Sequence, residues 1–495
     1  MHTERCFDAI VIGGGLLGCF AARNLTRFKL KTALIEMRED VCTGVSKANT
    51  AIVYTGADTK PGTLKTALCV RACKGFDKLC SDLGVRFKRC GSLMVSYGPK
   101  ADERLRKKYE AGIVNGVEGL RLISGQEAEL MEPNLAHGIS SALYAPGTGT
   151  VIPWELCIAA YENAVQNGCK AFLNTCVTSI EFTDGIYRII TNNGEFHARS
   201  VINCCGLNAH TVQEYVAEPS VRVVPDKADY LMLDDTVGNF VSRVIFHEPE
   251  EKGKGLTIVP TTDGKLLVGP SEQPGDGSIS FSTTSEGIDS LHKLCREVVP
   301  TLDLSQTIRS FGALRPNPFF VNYEDGEWKT QERSINNFTI TSPLPGFFSM
   351  IGIKTPGLTC ADELGRYITE RVIEHLSPVE SNMDFTPIRS APVCVRHLSF
   401  EERAKLAAEN PSYAKIICRC GDITEGEVLD AIRRGAVTLD AVKRRAGSGL
   451  GRCQGSFCAD RVMHLISRET GIPLNKLTKN GSGSEILGGN CNATY

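Results

Sequence analysis

The run from Asp8 to Gly18 constrains the fold of this chain more than any other segment. A short apolar strand, residues 9–12, runs into Gly13-Gly14-Gly15-Leu16-Leu17-Gly18, the Gly-x-Gly-x-x-Gly spacing. A helix-like stretch follows, then a second strand from Thr32 to Glu36. Gly13 and Gly15 permit a tight turn and let a pyrophosphate approach the backbone. Gly18 lets the helix lie close on the strand, and the helix N-terminus faces the phosphates. Glu36, 18 residues beyond Gly18, is placed to accept ribose hydroxyls. The glycine spacing alone is a weak signal and fits a bare turn. With both flanking strands and the terminal acid it points to a bound dinucleotide.

A second pattern lies near the C-terminus. Cys418-Arg419-Cys420 is followed, after 32 residues, by Cys453 and Cys458. The first pair is closer than the pairs of most zinc knuckles. The second follows a glycine-rich loop, Gly447-Ser448-Gly449-Leu450-Gly451, whose amides can approach sulfur. Four thiolates suit a [2Fe–2S] cluster, a one-electron carrier; zinc, or unrelated free thiols, are the competing readings. Thr424 and Glu427 form a capping box opening a helix over 425–434, with Gly435 past its end. Thr438 caps a second helix over 439–446. Cys458 starts a third, 458–469, with Val462, Leu465 and Ile466 on one face. A ligand at a helix N-terminus suits an anionic cluster. Arg419, Arg444, Arg445 and Arg452 would offset that charge, dock an acidic partner, or form a solvated basic face.

The length of 495 residues exceeds one domain, and 42% hydrophobic content fills several cores. A net charge of −2 argues against nucleic acid as a principal partner. No apolar run approaches a membrane span, and the first strand begins by Phe7, leaving no room for a signal peptide. Twenty cysteines without a secretion signal indicate a reducing cytosol, so the expected location is cytoplasmic, peripheral to a membrane only through a partner. Cys69 and Cys73, one helical turn apart, read as buried packing rather than a metal or redox pair. The tail from Gly481 reads as mobile, and the acceptor motifs at Asn480 and Asn492 as chance.

Three further segments suit a flavin. Residues 43–50 are a small-residue loop after the second strand, fit for a ribityl chain. Residues 199–209 are an apolar strand ending at Gly206. Residues 348–359 are strand, then the loop Gly352-Ile353-Lys354-Thr355-Pro356-Gly357-Leu358-Thr359, then a helix over about 360–374. In this order they resemble the superfamily of FAD-dependent glycerol-3-phosphate dehydrogenase, L-2-hydroxyglutarate oxidase and D-amino-acid oxidase, over about residues 5–375. Supporting runs are Lys60–Lys65 (Lys-Pro-Gly-Thr-Leu-Lys), Gly253-Lys254-Gly255 with Val259–Thr262, Gly264 to Pro270, and Gly312-Ala313-Leu314-Arg315-Pro316. Residues 415–468 resemble the bacterioferritin-associated-ferredoxin-like [2Fe–2S] module, as in the catalytic subunit type of anaerobic glycerol-3-phosphate dehydrogenase. The resemblance implies noncovalent FAD held by Gly13, Gly15, Leu16, Leu17, Gly18, Glu36, Gly44, Ser46, Asn49, Val177, Gly206, Gly352, Lys354, Gly357, Leu358 and Thr359. It implies a cluster on Cys418, Cys420, Cys453 and Cys458.

The expected fold is α/β: a Rossmann-type FAD-binding domain interleaved with an antiparallel substrate-binding sheet, plus a small helical [2Fe–2S] domain. FAD-binding segments are about 5–85, 145–215 and 335–375; substrate-binding segments are about 86–144 and 216–334. Strands are expected over 228–234, 255–260 and 265–268. A Pro-rich connection, 376–414, leads to the cluster domain at 415–468 and a tail, 469–495.

The catalytic candidates are Arg315, Lys354 and Tyr54. Arg315 matches the family's arginine for an anionic substrate group, phosphate or carboxylate, which a guanidinium pairs bidentately; a structural salt bridge is the alternative. Lys354 would stabilise reduced flavin or polarise the substrate oxygen; a purely structural lysine is the alternative. Tyr54 stands where related enzymes usually carry histidine, and a phenol with pKa roughly 10 is a poor base. Either Tyr54 only hydrogen-bonds the substrate, or the substrate is not the usual hydroxy compound; Asp229 and Tyr230 are spare candidates. The expected reaction is oxidation of sn-glycerol 3-phosphate, with a 2-hydroxyacid or an amine as alternatives. The missing histidine also opens a non-catalytic electron-transfer adaptor. With one dinucleotide fingerprint, taken by FAD, NAD is not expected to bind, and electrons would leave through the cluster to a redox partner protein or quinone-linked subunit.

Overall fold

Cys6–Ile12 is the inner strand of an eight-stranded sheet, flanked in parallel by Thr32–Ile35 on one side and Gly194–Asn203 on the other. Lys170–Phe172 continues the parallel set beyond Thr32–Ile35, and Phe347–Ile351 continues it beyond Gly194–Asn203. Strand order therefore reverses at Cys6–Ile12, and open parallel sheets leave their ligand crevice at such a switch point. Val177–Thr183 and Ile186–Thr191 extend the sheet as an antiparallel meander. The computed structural model describes residues 5–249, 255–271 and 279–488. Gly253, Lys254 and the motif at Asn492 lie outside the described residues.

The turn after the first strand is the tightest packing in this sheet. Gly13 has φ +105°, and a Cβ there would stand 2.6 Å from the Cys204 carbonyl oxygen. A Cβ on Gly18 would stand 1.8 Å from the Gly13 oxygen. Helix Leu16–Leu25 so placed buries Arg23, which is 1% exposed. Arg23 donates to Asp362 Oδ1 at 3.1 Å and to Asn163 Oδ1 at 2.9 Å, tying this helix to Ala361–Leu376 and Pro153–Gln166.

The second sheet has nine strands, in the order Glu327–Thr330, Thr307–Glu324, Val221–Leu233, Leu266–Val268, Thr257–Pro260, Val244–Glu248, Ser92–Ser96, Ser141–Ala145 and Arg121–Ser124. The sheet is antiparallel, as expected, except at one place: Val244–Glu248 runs parallel to Ser92–Ser96. Strands from residues far apart in sequence meet there, so no hairpin turn fixes their sense. Leu231, Leu233 and Val268 pack on one face beneath helix Ser285–Val298. Ala228, Tyr230 and Ala313 on the other face pack with Ile52 and Tyr54.

By contacts the chain divides into two units, 1–37 with 41–389, and 38–40 with 390–495. The stretch expected as a plain connection is structured. Residues up to 389 are pinned within the first unit: Asn382 Nδ2 donates to the Thr26 oxygen, and Arg389 pairs with Glu162 at 2.8 Å. Helix Phe400–Glu409 follows in the second unit, opened by a capping box of Ser399 and Glu402. Helices Glu425–Arg433, Leu439–Ala446 and Ala459–Thr470 then pack through Val428, Ile432, Val442, Val462 and Ile466. The capping box of Thr424 and Glu427 forms as the sequence requires. Arg444 and Arg445 are not a solvated face: both are buried and donate to Asp40 of the same unit, at 2.6 and 2.7 Å. Among the described residues no helix is long and apolar enough to cross a membrane.

Replacing Arg23 with methionine leaves the buried Asp362 paired with the half-exposed Arg366, 2.9 Å away, an expected loss of about 3 kcal/mol. Burial opposes the Asp362 charge, yet Arg23 and Arg366 hold its pKa below the ordinary value. A depressed carboxylate stabilises the fold above the ordinary carboxylate range and loses that contribution as pH falls below about 4. Thermal unfolding followed across pH is therefore expected to show the Arg23→Met deficit at neutral pH and its narrowing in acid.

Candidate active site and cluster site

The glycine turn, the second strand and the loop after it converge on one place. Glu36, 8% exposed, accepts from the Gly14 amide at 2.6 Å. Ser46 Oγ accepts from the Leu16 amide at 2.9 Å, at the start of the first helix. Gly44 precedes a short 3-10 turn, Val45–Lys47, and Asn49 donates to the Ser46 carbonyl at 3.0 Å while accepting from the Ala51 amide at 2.8 Å. The helix N-cap, Gly15, carries no side chain, and Ser46 meets the first helical amide, a helix start suited to an anion. Leu16 is buried and Leu17 packs against the same core. Gly206 (φ +59°) opens a turn beyond the strand that flanks the fingerprint. Val177 is buried in the sheet's other apolar cluster with Ile12 and Ile35. A carboxylate, a tight turn and a helix N-terminus so arranged fit the ribose and pyrophosphate of a dinucleotide.

The flavin loop meets the second sheet. Gly352 turns the chain out of Phe347–Ile351 with Pro318 of the strand Thr307–Glu324 packed against it. Gly357 donates its amide to the Lys354 oxygen at 2.8 Å, and Leu358 packs on the sheet core. Buried Thr359 accepts the Tyr54 amide at 3.0 Å, joining this loop to residues 49–54. Helix Ala361–Leu376 starts immediately after.

Arg315 and Asn317 share one face of the long strand, in register opposite Asp226 and Val224. Pro316 stands opposite Pro225. Neither proline has an N–H, so the ladder bonds here fall to their neighbours. Lys354 Nζ donates to Asn317 Oδ1 at 3.0 Å and to Ser334 Oγ at 3.2 Å. Asn317 Nδ2 in turn donates to the Asp226 carboxylate. Asn317, Asp226 and Ser334 were not foreseen; the signal available was the i, i+2 spacing of Asn317 from Arg315.

Tyr54 lies in the same neighbourhood. Burial pushes its phenol up to about 12; Thr50 and Arg315 oppose the shift and Asp58 adds to it. Its ring is 6.0 Å from that of Phe246. Tyr230 stacks on Phe311 at 5.0 Å in the adjoining cluster. Asp229 is removed from the candidates. Its side chain points to the other face of the sheet, where Thr284 Oγ1 and N donate to it at 2.8 and 3.2 Å at the start of helix Ser285–Val298. The alternation of the strand separates it from Tyr230. Cys69 and Cys73 are buried, and their thiols donate to the carbonyls of Tyr54 and Gly147 at 3.5 and 3.3 Å.

In the second unit the four cysteine sulfurs form two pairs, Cys418 with Cys458 and Cys420 with Cys453. Cys418 and Cys458 are buried, Cys420 is exposed. The hydrogen bond from Cys458 draws Cys418 down to about 6, helped by the amides of Gly449, Gly421 and Cys420, and pushes Cys458 up. Burial opposes ionisation of Cys453, but the amides of Gly455 and Phe457 draw it down. A Cβ on Gly451 would stand 2.5 Å from that of Cys420, so glycine permits the close approach. Among the described residues no three candidate ligands gather as around a single ion. Two thiol pairs bathed in amides suit a two-iron cluster.

These features occur together in flavin-dependent oxidoreductases that hand electrons to an iron–sulfur centre. The chain belongs to the FAD dependent oxidoreductase family, which matches residues 8–371. Residues 416–468 match the BFD-like [2Fe-2S] binding domain, and the protein is a flavoprotein with FAD and a [2Fe–2S] cluster as cofactors. It is 40% identical to a glycerol 3-phosphate dehydrogenase of Caloramator mitchellensis, over 98% of each chain. It is 25% identical to anaerobic glycerol-3-phosphate dehydrogenase subunit A1 of Haloferax volcanii, over 93% of this chain and 83% of that one. Its fold is similar to that of dithionite-reduced L-alpha-glycerophosphate oxidase from Mycoplasma pneumoniae with FAD bound, at 25% identity and a TM-score of 0.71, covering 78% of this chain and 99% of that one.

Two outcomes follow. With its phenol near 12, Tyr54 stays protonated across the working range. Tyr54→Phe is expected to lower kcat/KM about tenfold without changing the pH profile between about pH 6 and 10. Cys458→Ser is expected to lose iron and inorganic sulfide while keeping FAD, read by metal analysis and flavin absorbance.

Proposed function

We propose that the chain oxidises sn-glycerol 3-phosphate to dihydroxyacetone phosphate and passes the electrons through its cluster to a partner protein. The observation that carries this reading is the 40% identity to the Caloramator mitchellensis dehydrogenase, which spans the flavin and cluster regions together. The nine-stranded sheet serves as the substrate-binding part, and the parallel sheet as the FAD-binding part.

FAD, when bound, supplies the acceptor for the hydride leaving the substrate carbon, and the cluster relays electrons singly. Glu36 holds ribose hydroxyls, and the start of helix Leu16–Leu25 holds the pyrophosphate. Arg315 pairs with the substrate phosphate through its planar fork. Tyr54 donates a hydrogen bond to the substrate hydroxyl and does not take its proton, because its phenol is held near 12; the proton leaves to water. Lys354 sets positive charge beside the flavin loop and favours negative charge arising on the ring or the substrate oxygen. Cys418, Cys420, Cys453 and Cys458 hold the cluster, from which a redox partner subunit takes the electrons.

The test is anaerobic bleaching of the flavin by glycerol 3-phosphate and, separately, by L-2-hydroxyglutarate. Bleaching by the phosphate alone is expected; bleaching by the hydroxyacid alone overturns the substrate assignment, and bleaching by neither, in a flavin that dithionite still reduces, excludes both substrates. Arg315→Met is expected to lower kcat/KM for glycerol 3-phosphate about 10–200-fold, equivalent to roughly 1.5–3 kcal/mol of charged hydrogen bonding.

A further inference from the structure

The amide of Asn317 sits between a carboxylate and an ammonium. Its Nδ2 donates to Asp226, and its Oδ1 accepts from Lys354 at 3.0 Å. An ionised carboxylate only accepts and an ammonium only donates, so both neighbours demand the same orientation of the amide. Asn317 is 4% exposed, which removes water as a competing partner. Ser334 Oγ supplies a second acceptor to Lys354 at 3.2 Å. Asp226 is also the register partner of Arg315 across the two strands. One carboxylate thus orients the asparagine and stands opposite the guanidinium assigned to the substrate anion.

We propose that Asn317 is a positioning residue: its amide, oriented by Asp226, fixes the Lys354 ammonium beside the flavin loop. Held by Asn317 and Ser334, the ammonium acts on the ring and substrate from one place. Asn317 acts through Lys354 and touches no reacting atom. The inference rests on Lys354 as the flavin-side cation in the function proposed above.

The measurement is the two-electron midpoint potential of the flavin in FAD-loaded full-length protein, by anaerobic equilibration with reference dyes. No substrate is needed, so failure here is distinguishable from failure of the glycerol 3-phosphate assignment. Asn317→Ala is expected to move the oxidised-to-reduced ratio about tenfold toward oxidised, about 30 mV for a two-electron couple. Asn317→Asp, of the same shape, is expected to move it at least as far by placing a charge against the ammonium. Lys354→Met is expected to match the alanine variant, and the double variant Asn317→Ala with Lys354→Met to go no further than Lys354→Met alone. In turnover kcat falls while KM holds, because Arg315 remains. An unchanged potential in both Asn317 variants overturns the proposal, as does additivity in the double variant. Loss of FAD from both overturns it too, since that makes Asn317 a structural support of the fold.

Discussion

The flavin unit depends on a backbone contact between Gly13 and Gly18, where no Cβ can be accommodated. That contact sets how deeply helix Leu16–Leu25 lies on the parallel sheet. Its depth carries Arg23 into the interior, where Asp362 and Asn163 receive it. The helix that begins at Ala361 is thereby fixed, and with it the loop bearing Lys354 and Thr359 just before it. The site on the second sheet inherits its position through Thr359 to Tyr54 and through Asn317 to Lys354. A steric rule at two glycines is thus propagated to the groups that meet the substrate.

Local pattern made much of this readable from sequence. The strand, glycine turn, helix and terminal acid lie within thirty-odd residues, and Glu36 is found at the turn. The cluster module was legible almost residue by residue, because capping boxes and helix periods are short-range signals; Leu439–Ala446 begins and ends where Thr438 and Gly447 place it. Legibility ended where contact is long-range. Asn317 and Asp226 are 91 residues apart, and nothing at either position announces the other. Arg444 and Arg445 looked like surface charge until Asp40, some 400 positions upstream, was found between them. Asp229 looked like a site residue until the strand's alternation turned it toward Thr284. Helix Phe400–Glu409 was hidden by the prolines on both sides, although Ser399 and Glu402 carried its start signal.

The cations of the flavin unit and the cluster unit are met in two ways. Arg23, Arg444 and Arg445 meet carboxylates directly, which compensates the cost of burial and holds parts of the fold together. Lys354 is met by an amide and a hydroxyl, and the amide is itself held by Asp226. The first kind of pairing ties elements of the fold together, and the second fixes the place of a group at the site.

The five parallel strands come from residues 6–12, 32–35, 170–172, 194–203 and 347–351. On the ribosome the first strand therefore waits, unflanked on one side, until residue 203 has emerged, and Arg23 waits for a carboxylate until residue 362 has. Such pairings across long stretches of chain are slow to close. The cluster module follows the flavin unit, and its helices are neighbours in sequence and need little from afar. Synthesis runs from the part hardest to complete toward the part easiest to complete. The parallel strands of the flavin sheet accordingly spend much of synthesis with one edge unpaired, the interval in which chaperones have most to protect.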